Sequence, residues 1–150
     1  MKPGMTTISL CAFLFASFCL AQPDEATSLY NRGVTFLGAG KPFDALEAFT
    51  QAIARKPGFA EAYCGQGDAY SRTSRYPLAI ISYTEAIKIK PGYADALCGR
   101  GFAHYFAEEY VSSQDDFAAS IKADVTKTDA IVGFLFGELA TLRGMLTGNE

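Results

Sequence analysis

The apolar positions of the chain fall into stripes of helical period, and the stripes recur. Between residues 60 and 93, Tyr63, Gly67 and Tyr70 stand at i, i+4 and i+7. Tyr76, Ala79, Ile80, Tyr83, Ala86 and Ile87 form a second stripe of the same kind. Steps of three and four place such residues on one side of an α-helix. Thr73 and Ser74 separate the stripes and are suited to capping the second helix at its start. Pro91-Gly92 then ends that helix. The segment therefore predicts a helical hairpin. The same outline precedes it: Gly38-Ala39-Gly40 breaks the chain, and Pro42 fits a first turn, where its missing N–H is not needed.

The recurrence has a fixed step. Residues 49–67, FTQAIARKPGFAEAYCGQG, and 83–101, YTEAIKIKPGYADALCGRG, are identical at 11 of 19 positions, 34 residues apart. The step divides the chain into units 26–59, 60–93 and 94–127. The first two share Ala26/Ala60, Gly33/Gly67, Ala45/Ala79, Ala52/Ala86 and Pro57/Pro91; the last two share Cys64/Cys98, Gly65/Gly99, Gly67/Gly101, Ala69/Ala103 and Tyr76/Tyr110. A self-match at this interval is the mark of a repeat array. A single hairpin of this size cannot bury its apolar face, whereas stacked hairpins form a continuous core. Gly33, Gly67 and Gly101 leave room for the second helix to approach the first, against the small column Ala45/Ala79/Ser113. Phe36, Tyr70 and His104, with Phe49, Tyr83 and Phe117, fill the space beside them.

These residues resemble tetratricopeptide repeats. The motif reads Leu29-x2-Arg32-Gly33-x2-Phe36, Tyr63-x2-Gln66-Gly67-x2-Tyr70 and Leu97-x2-Arg100-Gly101-x2-His104. Each is followed by a small/aromatic/small set: Ala45, Phe49, Ala52; Ala79, Tyr83, Ala86; Ser113, Phe117, Ser120. The third unit departs from the pattern. Serines replace two alanines, and Val125 stands where proline would be, so its second helix is expected to run on or end loosely. The resemblance implies an all-α fold: a right-handed helical-repeat solenoid of three antiparallel helix pairs over 22–150, closed by a C-terminal capping helix at about 128–147.

The resemblance also implies a role without catalysis, in which a concave groove along the first helices holds a peptide or another protein. Carried onto this chain, the lining is Tyr30, Val34 and Leu37, then Cys64, Asp68, Ser71 and Arg72, then Cys98, Phe102, Tyr105 and Phe106. Some family members grip the carboxylate end of chaperone tails with lysines, asparagines and an arginine. The corresponding positions here, Tyr30, Val34, Asp68, Cys98 and Phe102, carry neither the positive charge nor the amide. A chaperone-tail adaptor is therefore disfavoured, and Asp68 disfavours an anionic ligand. An aromatic and apolar groove with an Asp68/Arg72 pair at its middle suits an extended peptide or a helix with apolar anchors. The alternative is that several of these side chains merely cover the solenoid.

Both ends of the chain carry their own signals. Lys2 precedes an uncharged apolar run, TTISLCAFLFASFCLA, which turns polar at QPDEA. This is the layout of a secretory signal peptide over 1–21, cleaved near Ala21. The expectation is an exported protein, periplasmic or secreted, with retention as an uncleaved anchor as the alternative. At the other end a helix is expected over 129–146, started by Thr128 or Asp129. Ile131, Leu135, Leu139, Leu142 and Leu146 form its apolar ridge, and Gly133-x3-Gly137 would permit close helix approach. One face should dock on the third unit. The other could meet a second copy of the chain, with Leu135, Leu139, Leu142 and Leu146 as the pairing residues.

Charge and chemistry add exclusions. The net charge is −3, or −4 without residues 1–21, and no run of lysine or arginine exceeds two. Nucleic acid, which needs clustered positive charge, is not expected as a partner. His104 is the sole histidine and is expected as a packed ring in the Phe36/Tyr70 column. Glu108-Glu109 and Asp115-Asp116 are expected as a solvated rim. No catalytic constellation, metal site or cofactor motif is legible. Cys64 and Cys98 occupy equivalent positions on neighbouring first helices. Packed helices lie about 8–10 Å apart, whereas a disulfide needs Cα atoms within about 7 Å. Two free, semi-buried thiols are the expectation.

Overall fold

The computed structural model describes residues 24–147, with side chains to residue 138. The segment 1–21 lies outside the described residues, as do the side chains of Leu139, Leu142 and Leu146. Seven helices follow one another: α1 (Glu25–Gly38), α2 (Pro42–Arg55), α3 (Ala60–Arg72), α4 (Tyr76–Ile89), α5 (Ala94–Phe106), α6 (Tyr110–Ala123) and α7 (Lys127–Thr147). There is no strand among the described residues. The fold is all-α, a solenoid of three helix pairs with α7 at its end.

Helix α1 packs on α2, α3 on α4, and α5 on α6, and each pair also packs on the next through α2–α3 and α4–α5. The first helices touch in turn, α1 to α3 to α5, whereas the backbones of α2, α4 and α6 stand apart. The stack therefore curves with the first helices on its inner side.

What fixes this arrangement is one aromatic ring per pair. Phe49 is fully buried, and a Cβ placed on Gly33 or on Gly65 would come within 2.5 and 2.6 Å of its ring. Tyr83 fills the same place between Gly67 and Gly99, 2.6 Å from where a Cβ on either would stand. Phe117 lies 2.7 Å from where a Cβ on Gly101 would stand. Residues i and i+2 of a helix project about 200° apart. The sequences Gly65-Gln66-Gly67 and Gly99-Arg100-Gly101 thus notch opposite sides of one helix, one notch for the preceding pair's ring and one for its own. Sequence reasoning gave a role to Gly67 and Gly101 only; Gly65 and Gly99 are equally part of the device. At α1, the first helix among the described residues, Asn31 occupies the first notch position.

The turns also obey the step. Gly40, Ser74 and Glu108 all have left-handed backbone, with φ of 70°, 56° and 64°. Glycine takes this conformation freely; serine and glutamate hold it at about 1–2 kcal/mol. Thr73 and Ser74 do not cap α4. Arg75 precedes that helix without a side-chain cap, and the Thr73 hydroxyl instead donates to the carbonyls of Ala69 and Tyr70 at the end of α3. Nor does α6 run on for want of a proline. Extended backbone at Asp124 ends it, and the Asp124 carboxylate accepts from the Thr126 amide and hydroxyl at 3.0 and 2.7 Å. This local turn removes the backbone donor that a continuing helix would use.

Helix α7 begins at Lys127, close to 34 residues after the start of α5, but it does not repeat α5's seating. Gly133 stands in the Gly65/Gly99 column, yet nothing lies within 4 Å of where its Cβ would be. Docking runs instead through Ile131, buried against Cys98 and Phe117, and Phe134, which meets Phe102 and Tyr105 edge-on at 4.9 and 5.0 Å.

The two kinds of glycine should respond oppositely to an added methyl. Gly67→Ala overpacks a ring already held on two sides and should destabilise by about 1–2 kcal/mol, even after the gain in helix propensity. Gly133→Ala meets open space and should be neutral or stabilising by up to about 1 kcal/mol. Urea unfolding of both variants checks this, and equal effects would contradict the notch.

Candidate functional site

The inner curve of the stack forms a concavity of about 510 Å³. Tyr30, Val34 and Leu37 of α1 line one end, Glu61, Cys64 and Asp68 of α3 the middle, and Asp95, Cys98 and Phe102 of α5 the other end. Tyr93 contributes from the preceding turn, and Lys127 and Ala130 from α7. A second concavity of about 380 Å³ shares Leu37, Asp68 and Phe102 and adds Ser71, Arg72 and Tyr83. The helical step explains the lining: Val34, Asp68 and Phe102 are one column at 34-residue intervals, as are Tyr30, Cys64 and Cys98.

Of the residues named from sequence, Tyr30, Val34, Leu37, Cys64, Asp68, Cys98 and Phe102 thus share one surface, with Ser71 and Arg72 beside it. Tyr105 and Phe106 lie elsewhere. Tyr105 packs on Phe134 and Tyr110, and its hydroxyl donates to Glu138 at 3.5 Å. Phe106, 48% exposed, stacks on Tyr76 with ring centres 5.3 Å apart. Phe102 borders the groove but also packs on Phe117 and Phe134, so it serves core and wall together.

The electrostatics of the groove centre on Asp68. Its Oδ1 accepts a 2.7 Å hydrogen bond from the Tyr83 hydroxyl. Asp68 is exposed to solvent, yet the protein crowded around it lifts its carboxyl above the usual range; the Tyr83 bond and the Arg72 charge oppose this, and Asp95 adds to it. Glu61 faces Lys90 at 3.6 Å, and Asp95 pairs with Lys127. Burial, the largest cause, raises the thiols of Cys64 and Cys98. Both thiols are free and buried.

Two polar features escaped the sequence reading. Gln66 of α3 donates to Thr50 of α2 at 3.1 Å and accepts from Ser82 of α4 at 3.0 Å. Arg100 of α5 repeats the arrangement one unit on. It donates to Thr84 of α4 at 3.1 Å and to both oxygens of Asp116 of α6, at 2.8 and 2.6 Å. Each clamp ties a first helix to the second helices on either side. The signal was present as columns (Thr50/Thr84, Gln66/Arg100, Ser82/Asp116), but the columns vary in residue type and do not announce a shared role. Asp116 is consequently not part of a solvated rim: it is 6% exposed and held by Arg100. His104 packs beside the clamp, with Nδ1 2.6 Å from Glu109 and Nε2 3.6 Å from Asp116. Ser120, in the alanine column, is fully buried and donates to the Ala94 carbonyl at 2.9 Å.

Among the described residues no group of three His, Cys, Asp or Glu side chains is placed to hold a metal ion. No described helix is long and apolar enough to cross a membrane.

Comparison with known proteins agrees with this geometry. Residues 30–94 match a family model described as tetratricopeptide repeat. The second TPR domain of human RPAP3, solved in complex with the HSP70 peptide SGPTIEEVD, is 27% identical, with a TM-score of 0.68 over 71% of this chain and 89% of that one. The TPR2B domain of yeast Sti1, solved with a pHsp70 peptide, is 23% identical, with a TM-score of 0.66 over 70% and 86%. The Sgt2 TPR domain of Aspergillus fumigatus is 21% identical, with a TM-score of 0.71 over 87% of each chain. Curated protein sequences give no match.

Burial and a raised pKa should make both thiols slow nucleophiles, because the thiolate is the reactive form. At pH 8 the folded protein should label at Cys64 and Cys98 about a hundredfold or more slower than in denaturant. Peptide mapping after timed alkylation reads this directly. Fast native labelling at Cys64 would contradict the packing of α3.

Proposed function

This chain is a tetratricopeptide-repeat protein, and from that premise we propose that it is a non-catalytic interaction module whose concave wall holds a peptide or protein partner. The observation that carries the reading is the seating of Val34, Asp68 and Phe102 along one continuous inner surface, contributed by three successive first helices. Val34 is 47% exposed there, and aromatic and aliphatic side chains of this kind anchor peptides in helical grooves. The binding of chaperone-derived peptides by the human and yeast neighbours supports a peptide as the class of ligand. The apolar segment 1–21 supports action after export, in a periplasm or outside the cell.

A linear-peptide display selection tests the reading. Selected peptides should bind the protein, and Val34→Asp should weaken them by at least about tenfold, or 1.4 kcal/mol, with an unchanged unfolding midpoint. Indifference to Val34 would place the binding surface elsewhere.

A second reading has its own support. Helix α7 leaves Phe136 68% exposed and Val132 and Leu135 each 39% exposed. Such a face suits pairing with a second copy, for which Leu135, Leu139, Leu142 and Leu146 were the sequence candidates. On this reading, sedimentation should show a concentration-dependent dimer that Phe136→Ser weakens. A monomer at every concentration would remove it.

A further inference from the structure

We propose that the groove selects a cationic segment: a peptide whose lysine or arginine reaches Asp68 while flanking apolar residues lie on Val34 and Phe102. The proposal rests on the peptide-groove reading and names the ligand class within it.

Three carboxylates line the main concavity, Glu61, Asp68 and Asp95, against one cation, Lys127. Two of the three are already balanced, Glu61 by Lys90 and Asp95 by Lys127. Asp68 has no ion-pair partner within 4.0 Å among the described residues. Arg72, four residues on, lines the adjoining concavity and moderates the charge at Asp68 without reaching ion-pair distance. Tyr83 occupies Oδ1 of Asp68, and Oδ2 takes no hydrogen bond among the described residues.

Asp68 is exposed and lines the concavity, so an incoming ammonium or guanidinium can reach it and form a charge-assisted hydrogen bond. The ligand's alkyl stem and charge would also find aromatic faces, since Tyr30, Tyr93 and Phe102 border the same space. An acidic ligand meets the opposite situation. Even with Arg72 counted, carboxylates outnumber cations on the lining, and Asp68 stands at the centre. Like charges brought together there are repelled. The wall is therefore complementary to a basic, partly apolar peptide.

Parallel display selections on the protein and on its Asp68→Asn variant test this. Asparagine keeps the oxygen that accepts from Tyr83, so the fold is retained, and an unchanged unfolding midpoint verifies it. Peptides selected on the parent should carry lysine or arginine at one recurrent position, and peptides selected on the variant should lose that preference while keeping the apolar positions. A synthetic selected peptide should bind the parent at least about tenfold tighter than its glutamine analogue, and the difference should vanish on the variant. The acidic peptide SGPTIEEVD, taken from the human neighbour, should not bind. Selected peptides without a basic residue, equal lysine preference on both proteins, or comparable binding of SGPTIEEVD would each overturn the proposal while leaving a peptide groove intact. No enrichment on either protein would overturn the groove itself, and this inference with it.

Discussion

The structure depends on a ring held between two glycines. Phe49 lies between Gly33 and Gly65, and Tyr83 between Gly67 and Gly99, each so close that a single methyl on the glycine would collide with it. Because one glycine belongs to the ring's own hairpin and the other to the next, the contact that closes a hairpin also joins it to its neighbour. Burial and stacking are therefore one event. The polar clamps of Gln66 and Arg100 follow the same logic with hydrogen bonds, since each reaches both the preceding and the partnering second helix. Nearest-neighbour coupling of this kind is what lets short hairpins persist as an array.

The fold was legible because the 34-residue step repeats residue types as well as spacing: Gly33/Gly67/Gly101 and Phe49/Tyr83/Phe117 mark both sides of the contact. The column Val34/Asp68/Phe102 differs in residue type from unit to unit and was reached through the resemblance to tetratricopeptide repeats, carried along the same step. What the step could not supply was anything specific to one unit. Asp116 reads as half of an acidic pair until Arg100 is seen across from it. Tyr105 and Phe106 have helical spacing suited to the groove, but α7 brings Phe134 against both, drawing them into an aromatic cluster at the end of the stack. Thr73 and Ser74 have the composition of a helix start, and their backbone makes a helix end. In each instance a neighbour distant in sequence, or a single backbone angle, overrode a local pattern.

The groove differs in character from the surface a carboxylate-binding relative would need. The same architecture offers inner positions on three helices, and their side chains set what the curve accepts. Here they are Tyr30 and Val34, Asp68, Cys98 and Phe102. The charged groups that reach the site are mostly paired with one another, which leaves Asp68 as the distinguishing one. Its carboxylate is exposed and accepts from the Tyr83 hydroxyl, so the ring that joins two hairpins also holds the distinguishing charge of the groove.

The backbones of the outer helices α2, α4 and α6 stand apart from one another. Neighbouring hairpins are joined along the line of rings and clamps and, on the inner side, by direct contact of the first helices. The stack is thus closed on its inner side and open on its outer side, like a fan. Any change in the width of the groove would therefore be felt in the contacts between the first helices, so the wall that faces a ligand and the packing that sets curvature are one and the same.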